Sequence, residues 1–263
     1  MGTPVARRVA TRGYTSGLVA IGERNHYSFP RRWITLDHRD ADFTMRLGPT
    51  SELPLPDDSV HIVYSAHILE HLDDATISGV LSDVYRILRP GGAVRVEVPD
   101  ADFLVDAWRR SDQRTLRHFR TYRQKIVVDQ LGFGPEYLED HLTPLGEIAN
   151  YLVNESHVPV YAPRDEFEFY AALGLEDLNA WAQSLKTPEQ DASPGHRNAL
   201  TFEKMESAFA EVGFTGVVQV DIGRTTIPDL RLGAGTRAPW DLDTIHEKPH
   251  RAFYSLFVEA IKP

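Results

Sequence analysis

The fold is decided by residues 53–100, which begin Leu-Pro-Leu-Pro-Asp-Asp-Ser-Val-His-Ile-Val-Tyr-Ser-Ala-His-Ile-Leu-Glu-His-Leu and end Arg-Ile-Leu-Arg-Pro-Gly-Gly-Ala-Val-Arg-Val-Glu-Val-Pro-Asp. Residues 60–64 are a short, β-branched apolar run, which is typical of a buried strand. Apolar residues then recur at 77, 80, 81, 84, 87 and 88, the spacing of one helical face. Pro90-Gly91-Gly92 ends that helix, and residues 93–98 form the next strand. The pattern predicts a right-handed, parallel βαβ unit.

Three motifs in this stretch carry a family resemblance. They are Leu53-Pro54-Leu55-Pro56-Asp57-Asp58-Ser59-Val60, Leu69-Glu70-His71-Leu72 and Leu88-Arg89-Pro90-Gly91-Gly92. In this order they resemble the LPFPDNSFD, LEHL and LKPGG signatures of class I S-adenosylmethionine-dependent methyltransferases, in the type 11-like sub-group. The resemblance implies an α/β fold with a Rossmann-like core: a mostly parallel seven-stranded sheet, its last strand antiparallel, with a helical insertion.

The resemblance also divides the chain. It implies a methyltransferase core built from residues 1–100 and 197–263. Residues 101–196 fit no strand of that core and are interpreted as a helical cap that shapes the acceptor site. The connection over residues 222–250 is unusually long, and such loops are usually lids, interface arms or mobile segments.

The cofactor half is expected near the N-terminus. Residues 17–22 predict a first strand that ends in Gly22, and residues 33–37 predict a second that ends in Asp37. In the resembled family the glycine turn passes close to the methionine and ribose, and the acid binds the ribose hydroxyls; a carboxylate can accept both hydroxyl hydrogens. The cofactor-binding residues predicted for S-adenosylmethionine are Gly22, Glu23, Asp37, Leu53, Ser65 and Ala66.

Two positions depart from the family pattern. Relatives carry Gly-x-Gly after the first strand, whereas this chain has Gly22-Glu23-Arg24-Asn25, and a Cβ at the third position restricts the approach of backbone to a ligand. Where relatives tend to have an acid after the third strand, the nearest segment here is Met45-Arg46-Leu47. These departures motivate an alternative function, a catalytically inactive methyltransferase-like module that binds a partner.

Histidines are the candidate catalytic residues, because an alcohol acceptor must lose its proton as it attacks and imidazole titrates near neutrality. His67 follows the fourth predicted strand and is the first choice for the base; a structural role is the alternative. His71 lies one turn on, beside Glu70. His196 precedes the last core helix, where the resembled family often places a histidine near the acceptor.

The resemblance implies O-methylation of a small polar acceptor, preferably a sugar or glycoside, since this sub-group is often associated with polysaccharide and glycan modification. Some sugar methyltransferases use a divalent cation such as Mg²⁺. Asp100 and Asp102 carry hard oxygen ligands that suit it, although ordinary surface acids look the same in sequence.

A metal-dependent hydrolase is a minor alternative. His67-Ile68-Leu69-Glu70-His71 spells the HxxEH pattern of zinc proteases, which works when both histidines share one helical face. The pattern falls inside the strand-helix-strand unit, and no downstream glutamate stands out as a third ligand.

The amino-acid composition limits the other functional classes to which the chain could belong. The chain has 263 residues, 42% of them hydrophobic, and no cysteine, so disulfides and thiolate chemistry are excluded. A net charge of -10 disfavours a nucleic-acid partner. No membrane span or leader is visible, which predicts a cytoplasmic protein.

A run of basic residues follows the core segment. It comprises Arg109, Arg110, Arg114, Arg117, Arg120, Arg123 and Lys125. We interpret it as a solvated face or a subunit contact, which would allow a homodimer; a patch that binds an anionic ligand is the minority interpretation.

Overall fold

The computed structural model describes residues 17–22, 33–123, 164–186, 195–228, 230–234, 244–247 and 253–263. The chain divides into two compact units. The sheet unit comprises residues 1–69, 74–98 and 202–263, and the helical unit comprises residues 70–73 and 99–201. The predicted cap, residues 101–196, lies inside the helical unit, which also takes in residues 70–73, 99–100 and 197–201.

The sheet unit holds the strands, numbered here in chain order. They are β1 (Leu18–Ile21), β2 (Ile34–Asp37), β3 (Phe43–Thr44), β4 (Val60–Ala66), β5 (Leu88–Pro99), β6 (Thr215–Val220), β7 (Arg231–Ala234), β8 (Thr244–Glu247) and β9 (Ser255–Ile261). Two helices belong to the same unit, α1 (Asp74–Ile87) and α6 (Phe202–Val212). The order in the main sheet is β3-β2-β1-β4-β5-β9-β6, and β7 pairs with β8 in a separate parallel pair.

The main sheet has the strand directions that the resemblance implies. Strands β1 to β5 pair in parallel, whereas β9 runs antiparallel to β6. At the β5 side, the Gly91 N–H donates to the Lys262 carbonyl over 2.8 Å and the Lys262 N–H to the Gly92 carbonyl over 2.9 Å, so the start of β5 lies beside the end of β9. The predicted Rossmann-like fold, with a mostly parallel seven-stranded sheet and an antiparallel last strand, is confirmed.

The βαβ unit at residues 53–99 is fastened by one side chain of α1. The Arg86 guanidinium donates to the Leu55 carbonyl and the Leu53 carbonyl, each over 2.9 Å, and forms ion pairs with Asp57 at 2.6 Å and Asp83 at 2.5 Å. Asp83 is buried and accepts the Leu53 N–H through its other oxygen. The Leu-Pro-Leu-Pro-Asp segment is therefore held along α1 by an arginine–aspartate pair, which we call the Arg86 clasp.

One face of the sheet unit buries charged side chains. Arg95 on β5 and Glu259 on β9 are 0% and 1% exposed, and they form a 2.6 Å ion pair. Glu259 also accepts from the Thr225 hydroxyl at 2.6 Å, and from the Thr226 N–H and hydroxyl at 2.7 and 2.6 Å. Arg95 donates to the Arg224 carbonyl over 2.9 Å.

The segment that contains Arg224, Thr225 and Thr226 continues into the core. Ile227 and Leu230 are buried against Tyr64, Ile62 and other residues of this face. The first part of the long 222–250 connection is thus a cover over the sheet rather than a projecting lid. Residues 235–243 of that connection lie outside the described residues.

The helical unit contains α2 (Ala101–Arg109), α3 (Gln113–Arg123), α4 (Arg164–Leu173) and α5 (Leu175–Ser184). Arg109 joins α2 to α4 by donating to the Ala171 carbonyl over 2.8 Å. Arg114, Arg117 and Arg120 of the basic run are exposed, and Lys125 lies outside the described residues. Within the described ranges, none of the helices combines the length and apolar character needed to cross a bilayer.

Candidate cofactor and acceptor site

Gly22 directly follows β1 at the carboxyl edge of the sheet, and its backbone lies close to the side chain of Ile68. Its φ of +85° is in the left-handed region, and its N–H donates to the Leu36 carbonyl of β2 over 2.7 Å. A Cβ at this position would lie 2.0 Å from Cγ1 of Ile68, so no other residue fits without moving that side chain. Because Ile68 follows β4, the glycine lets two strand ends of the sheet pack together.

Asp37 ends β2 at the same edge. The β1–β2 register pairs Ile21 with Leu36, so Gly22 and Asp37 come next on adjacent strands. The Asp37 side chain is 5% exposed and forms an ion pair with Nδ1 of His38, which is half exposed. It also accepts the Arg39 N–H over 3.3 Å. The structure therefore positions Asp37 and Gly22 next to each other on adjacent strands, and the ribose-binding role of the acid stays a prediction.

Ser65 and Ala66 end β4, whose Ser65 pairs in register with Ile21 of β1. Ser65 is buried, and its Oγ has no hydrogen-bond partner among the described residues. A buried hydroxyl left without a partner costs roughly 1–3 kcal/mol, so this group favours a site that a ligand completes. Gly22, Asp37 and Ser65 thus lie at the ends of three neighbouring parallel strands, which is where open α/β sheets bind ligands.

His67 comes directly after β4, with a φ of +52°. Its N–H donates to the Glu97 carbonyl over 2.8 Å, and its Nε2 lies 3.2 Å from Oε1 of the Glu97 side chain. Glu97 is buried and also accepts from the Tyr64 hydroxyl at 2.9 Å and the Ser255 hydroxyl at 3.1 Å. Burial alone would raise the pKa of Glu97, but the bonds from His67, Tyr64 and Ser255 outweigh it and hold that pKa below its usual range.

Glu97 is a site residue that sequence reasoning missed. An ionised Glu97 accepts the Nε2–H of His67, which fixes the tautomer in which Nδ1 can take up a proton. The signal was present in the pattern Val94-Arg95-Val96-Glu97-Val98, where two charges alternate with valines in an otherwise apolar strand. Glu70 lies near His196 instead, as described below.

The other predicted cofactor and metal residues are Leu53, Asp100, Asp102 and Glu23. Leu53 is buried and both its backbone polar groups belong to the Arg86 clasp. Asp100 caps α2 by accepting the Phe103 N–H over 2.9 Å, and burial raises its pKa. Asp102 is exposed in the first turn of α2. Glu23 and Arg24 lie outside the described residues.

Two predicted catalytic histidines come together in the helical unit. His71 and His196 have ring centroids 4.7 Å apart at an interplanar angle of 74°. Nε2 of His196 lies 3.9 Å from Oε1 of Glu70, and both side chains are 1% exposed.

The premise of the HxxEH hypothesis is wrong. Residues 69–71 form a single 3-10 turn, and His67 is a left-handed residue at a strand end. The two histidines of the motif therefore do not share a helical face, which the zinc-protease arrangement requires.

Comparison with known proteins supports the resemblance. Residues 29–96 match a family model described as "Methyltransferase domain". This part of the chain therefore resembles a methyltransferase domain. The matched residues include β2, β3, β4 and the part of β5 up to residue 96, and with them Asp37, Ser65 and His67.

Two curated relatives match parts of this chain. A "Probable S-adenosylmethionine-dependent methyltransferase" of Mycolicibacterium smegmatis is 35% identical over 91 residues, which are 34% of this chain and 35% of the relative. A malonyl-[acyl-carrier protein] O-methyltransferase of Yersinia pestis is 30% identical over 100 residues, 37% of this chain and 35% of that protein. The chain thus spans about a third of the length of each of these curated relatives.

Solved structures align with this chain at low similarity. An S-adenosylmethionine-dependent methyltransferase from Aquifex aeolicus aligns with a TM-score of 0.38 and 9% identity, over 99% of this chain and 90% of the other. One from Mesorhizobium loti aligns with a TM-score of 0.39 and 14% identity, over 97% and 96% of the two chains.

Proposed function

We propose that this protein transfers a methyl group from S-adenosylmethionine to a hydroxyl of a small polar acceptor, preferably a sugar or glycoside. One observation carries the proposal: Gly22, Asp37 and Ser65 end three adjacent parallel strands, two of them inside the segment that matches the methyltransferase domain. The departures at Gly22-Glu23-Arg24 do not remove these groups.

The residues at the strand ends fit the cofactor. The Asp37 carboxylate suits a pair of ribose hydroxyls, and the buried Ser65 hydroxyl offers a donor that the described protein groups leave unmatched. When bound, S-adenosylmethionine supplies an electrophilic methyl group on a sulfonium. Methyl transfer needs in-line approach of the acceptor, so positioning accounts for much of the rate.

His67 is the proposed general base. With Nε2 donating to Glu97, Nδ1 is the nitrogen that takes the acceptor proton, and the nearby carboxylate stabilises the imidazolium that results. Glu97 is a positioning residue in this scheme. The catalytic roles predicted for His71 and His196, and the Mg²⁺ hypothesis at Asp100 and Asp102, stay predictions.

The oxygen acceptor is the finer part of the proposal. O-methylation is the activity named for the Yersinia pestis relative, although the acceptor in its name is malonyl-[acyl-carrier protein]. A sugar acceptor follows from the sub-group resemblance and from the polar, histidine-bearing chemistry of the chain.

Cofactor binding is the first test. Calorimetry should find one S-adenosylhomocysteine site per chain, and the ligand should raise the melting temperature because it binds the folded state. Asp37→Ala should weaken binding by roughly 1–3 kcal/mol, the cost of removing a charged hydrogen-bond partner. Glu52→Ala, which changes an exposed acid of the same unit, should leave it unchanged. Absence of binding at millimolar ligand would overturn the proposal.

Transfer is the second test, with radiolabelled S-adenosylmethionine and a panel of glycosides beside their deoxy analogues. Label should enter a glycoside and be lost when one hydroxyl is removed. His67→Asn, which tolerates the positive φ, should lower kcat by roughly 10²–10⁴ with little change in cofactor affinity. Cofactor binding without transfer to any acceptor would favour the inactive partner module instead, and measurable transfer that His67→Asn leaves unchanged would rule out His67 as the base.

A further inference from the structure

Glu70, His71 and His196 form a cluster in the helical unit that the proposed methyl transfer does not require. One ligand atom from each, a carboxylate oxygen and two imidazole nitrogens, lies within 4.8 Å of the others. Glu70 and His196 are 1% exposed, and His71 is half-buried. We propose that this cluster is a binding site for one divalent transition-metal ion, with Zn²⁺ as its representative.

The backbone holds the two halves of the cluster in place. The Glu70 carbonyl accepts the N–H groups of Arg197 and Asn198, over 2.7 and 3.1 Å. The Asn198 amide donates back to the Leu72 carbonyl over 3.4 Å. Because these bonds flank the ligand residues on both segments, the site is preorganised, and an ion would not have to order the chain first.

The His196 backbone is also held. Its carbonyl accepts from Nζ of Lys186 over 2.7 Å and from the Gln183 amide over 3.4 Å. Supporting contacts of this kind are what keep ligand side chains in a fixed orientation around a metal.

The distances fit a bridging ion better than a direct bond. The 3.9 Å between Nε2 of His196 and Oε1 of Glu70 exceeds a hydrogen bond. Two ligand atoms that bind zinc at about 2.1 Å lie roughly 3.0–3.4 Å apart, so this pair needs to close by about 0.5–0.9 Å, and the other pairs, which lie within 4.8 Å, by at most about 1.8 Å. The 74° angle between the imidazole planes keeps the rings from stacking, so that each can present a nitrogen to a common point.

The donor set selects the metal class. Two imidazoles and one carboxylate suit Zn²⁺ and its first-row neighbours, whereas Mg²⁺ and Ca²⁺ prefer oxygen ligands. Three protein ligands also leave a fourth position for water or another ligand. A buried carboxylate next to two histidines is stabilised most directly by a cation, and the bound metal ion would be that cation.

This proposal differs from the HxxEH hypothesis in its ligand set. That hypothesis pairs His67 with His71 and leaves Glu70 as the base, whereas here Glu70 is a ligand and His196, 125 positions after His71, takes the place of His67. The two can be separated by mutation, and the metal site stands or falls independently of methyl transfer.

The test uses the full chain, stripped with a chelator and dialysed into metal-free buffer. Calorimetry with Zn²⁺ and metal analysis after gel filtration should give about one ion per chain. Co²⁺ should give the visible absorption bands of a site with nitrogen ligands. His71→Ala, His196→Ala and Glu70→Gln should each weaken Zn²⁺ binding at least tenfold.

Two histidine variants serve as controls. His67→Asn and His118→Ala, the latter on α3 of the same unit, should bind Zn²⁺ like the wild type. Should a cluster variant fail to fold, the Co²⁺ spectrum of the wild type decides alone. Stoichiometric binding lost in His67→Asn, binding unaffected in His196→Ala, or a wild type that shows no Co²⁺ bands would each overturn the proposal.

Discussion

The buried Arg95–Glu259 pair offers the most direct test of how the sheet unit is held together. Glu259→Gln keeps the shape of the side chain but leaves the Arg95 guanidinium without its 2.6 Å counterion at 0% exposure. Breaking a buried ion pair by removing one partner costs about 3–5 kcal/mol, because the remaining charge stays out of water. The two threonines that donate to the carboxylate lose part of their acceptor as well.

The expected effect is large enough to measure simply. A loss of 3–5 kcal/mol lowers the melting temperature of a chain of this size by about 6–20 °C. Calorimetry and urea unfolding followed by circular dichroism should report it, and hydrogen exchange should localise it to β5 and β9. Lys204→Gln is the matched control, since it breaks a 2.9 Å pair with the exposed Asp74 in the same unit and should change stability by less than about 1 kcal/mol.

A double variant identifies the cause. Arg95→Met combined with Glu259→Gln removes the buried charge altogether, so it should lose less stability than the two single variants added together. If Glu259→Gln is as stable as Lys204→Gln, or if the double variant loses the full sum, the ion pair is not what fastens the Arg224–Thr226 segment to the sheet.

The remaining predictions concern the strand ends and α1. Because the folded-state pKa of Glu97 is lowered, its ionised form stabilises the fold above its ordinary pKa, and this contribution disappears as pH falls through the lowered value. The stability difference between wild type and Glu97→Gln should therefore shrink between pH 6 and pH 3, and a constant difference would contradict the assignment. Gly22→Ala should cost roughly 1–3 kcal/mol more than Gly91→Ala, since both have positive φ but only the first meets a side chain; equal melting temperatures would show that Ile68 moves aside freely. Arg86→Leu should destabilise the sheet unit by roughly 2–4 kcal/mol by opening the clasp and leaving buried Asp83 unpaired, measured by urea unfolding, and a loss below 1 kcal/mol would place the clasp among ordinary surface pairs.

Local patterns in the sequence predicted the sheet well. The helix over residues 77–87 and the strands before and after it appear where the pattern placed them, but the helix ends at Ile87 and Pro90-Gly91-Gly92 lies inside β5, which begins at Leu88 rather than at residue 93. Strands β1 and β2 also match the prediction, because each is a short apolar segment followed by a glycine or ending in an acid.

Contacts between distant parts of the chain were not predictable in this way. Arg95 and Glu97 look like the solvent face of a strand, yet both are buried, and their partners Glu259 and Ser255 come from the distant strand β9, which nothing local indicates. The meeting of Glu70 and His71 with His196 likewise depends on bonds between residues 70 and 197–198. Sequence spacing instead suggested His67 as the partner, because a helix was assumed where a strand end and a single turn occur.

The position of β9 between β5 and β6 has a consequence for synthesis on the ribosome. Strand β5 is complete at residue 99, but the strand that pairs with its outer edge begins at residue 255. At roughly 5–20 residues per second, the nascent chain carries that open edge for about ten to thirty seconds. An unpaired edge is a template for other strands, so this interval is when the chain is most exposed to aggregation and most dependent on chaperones.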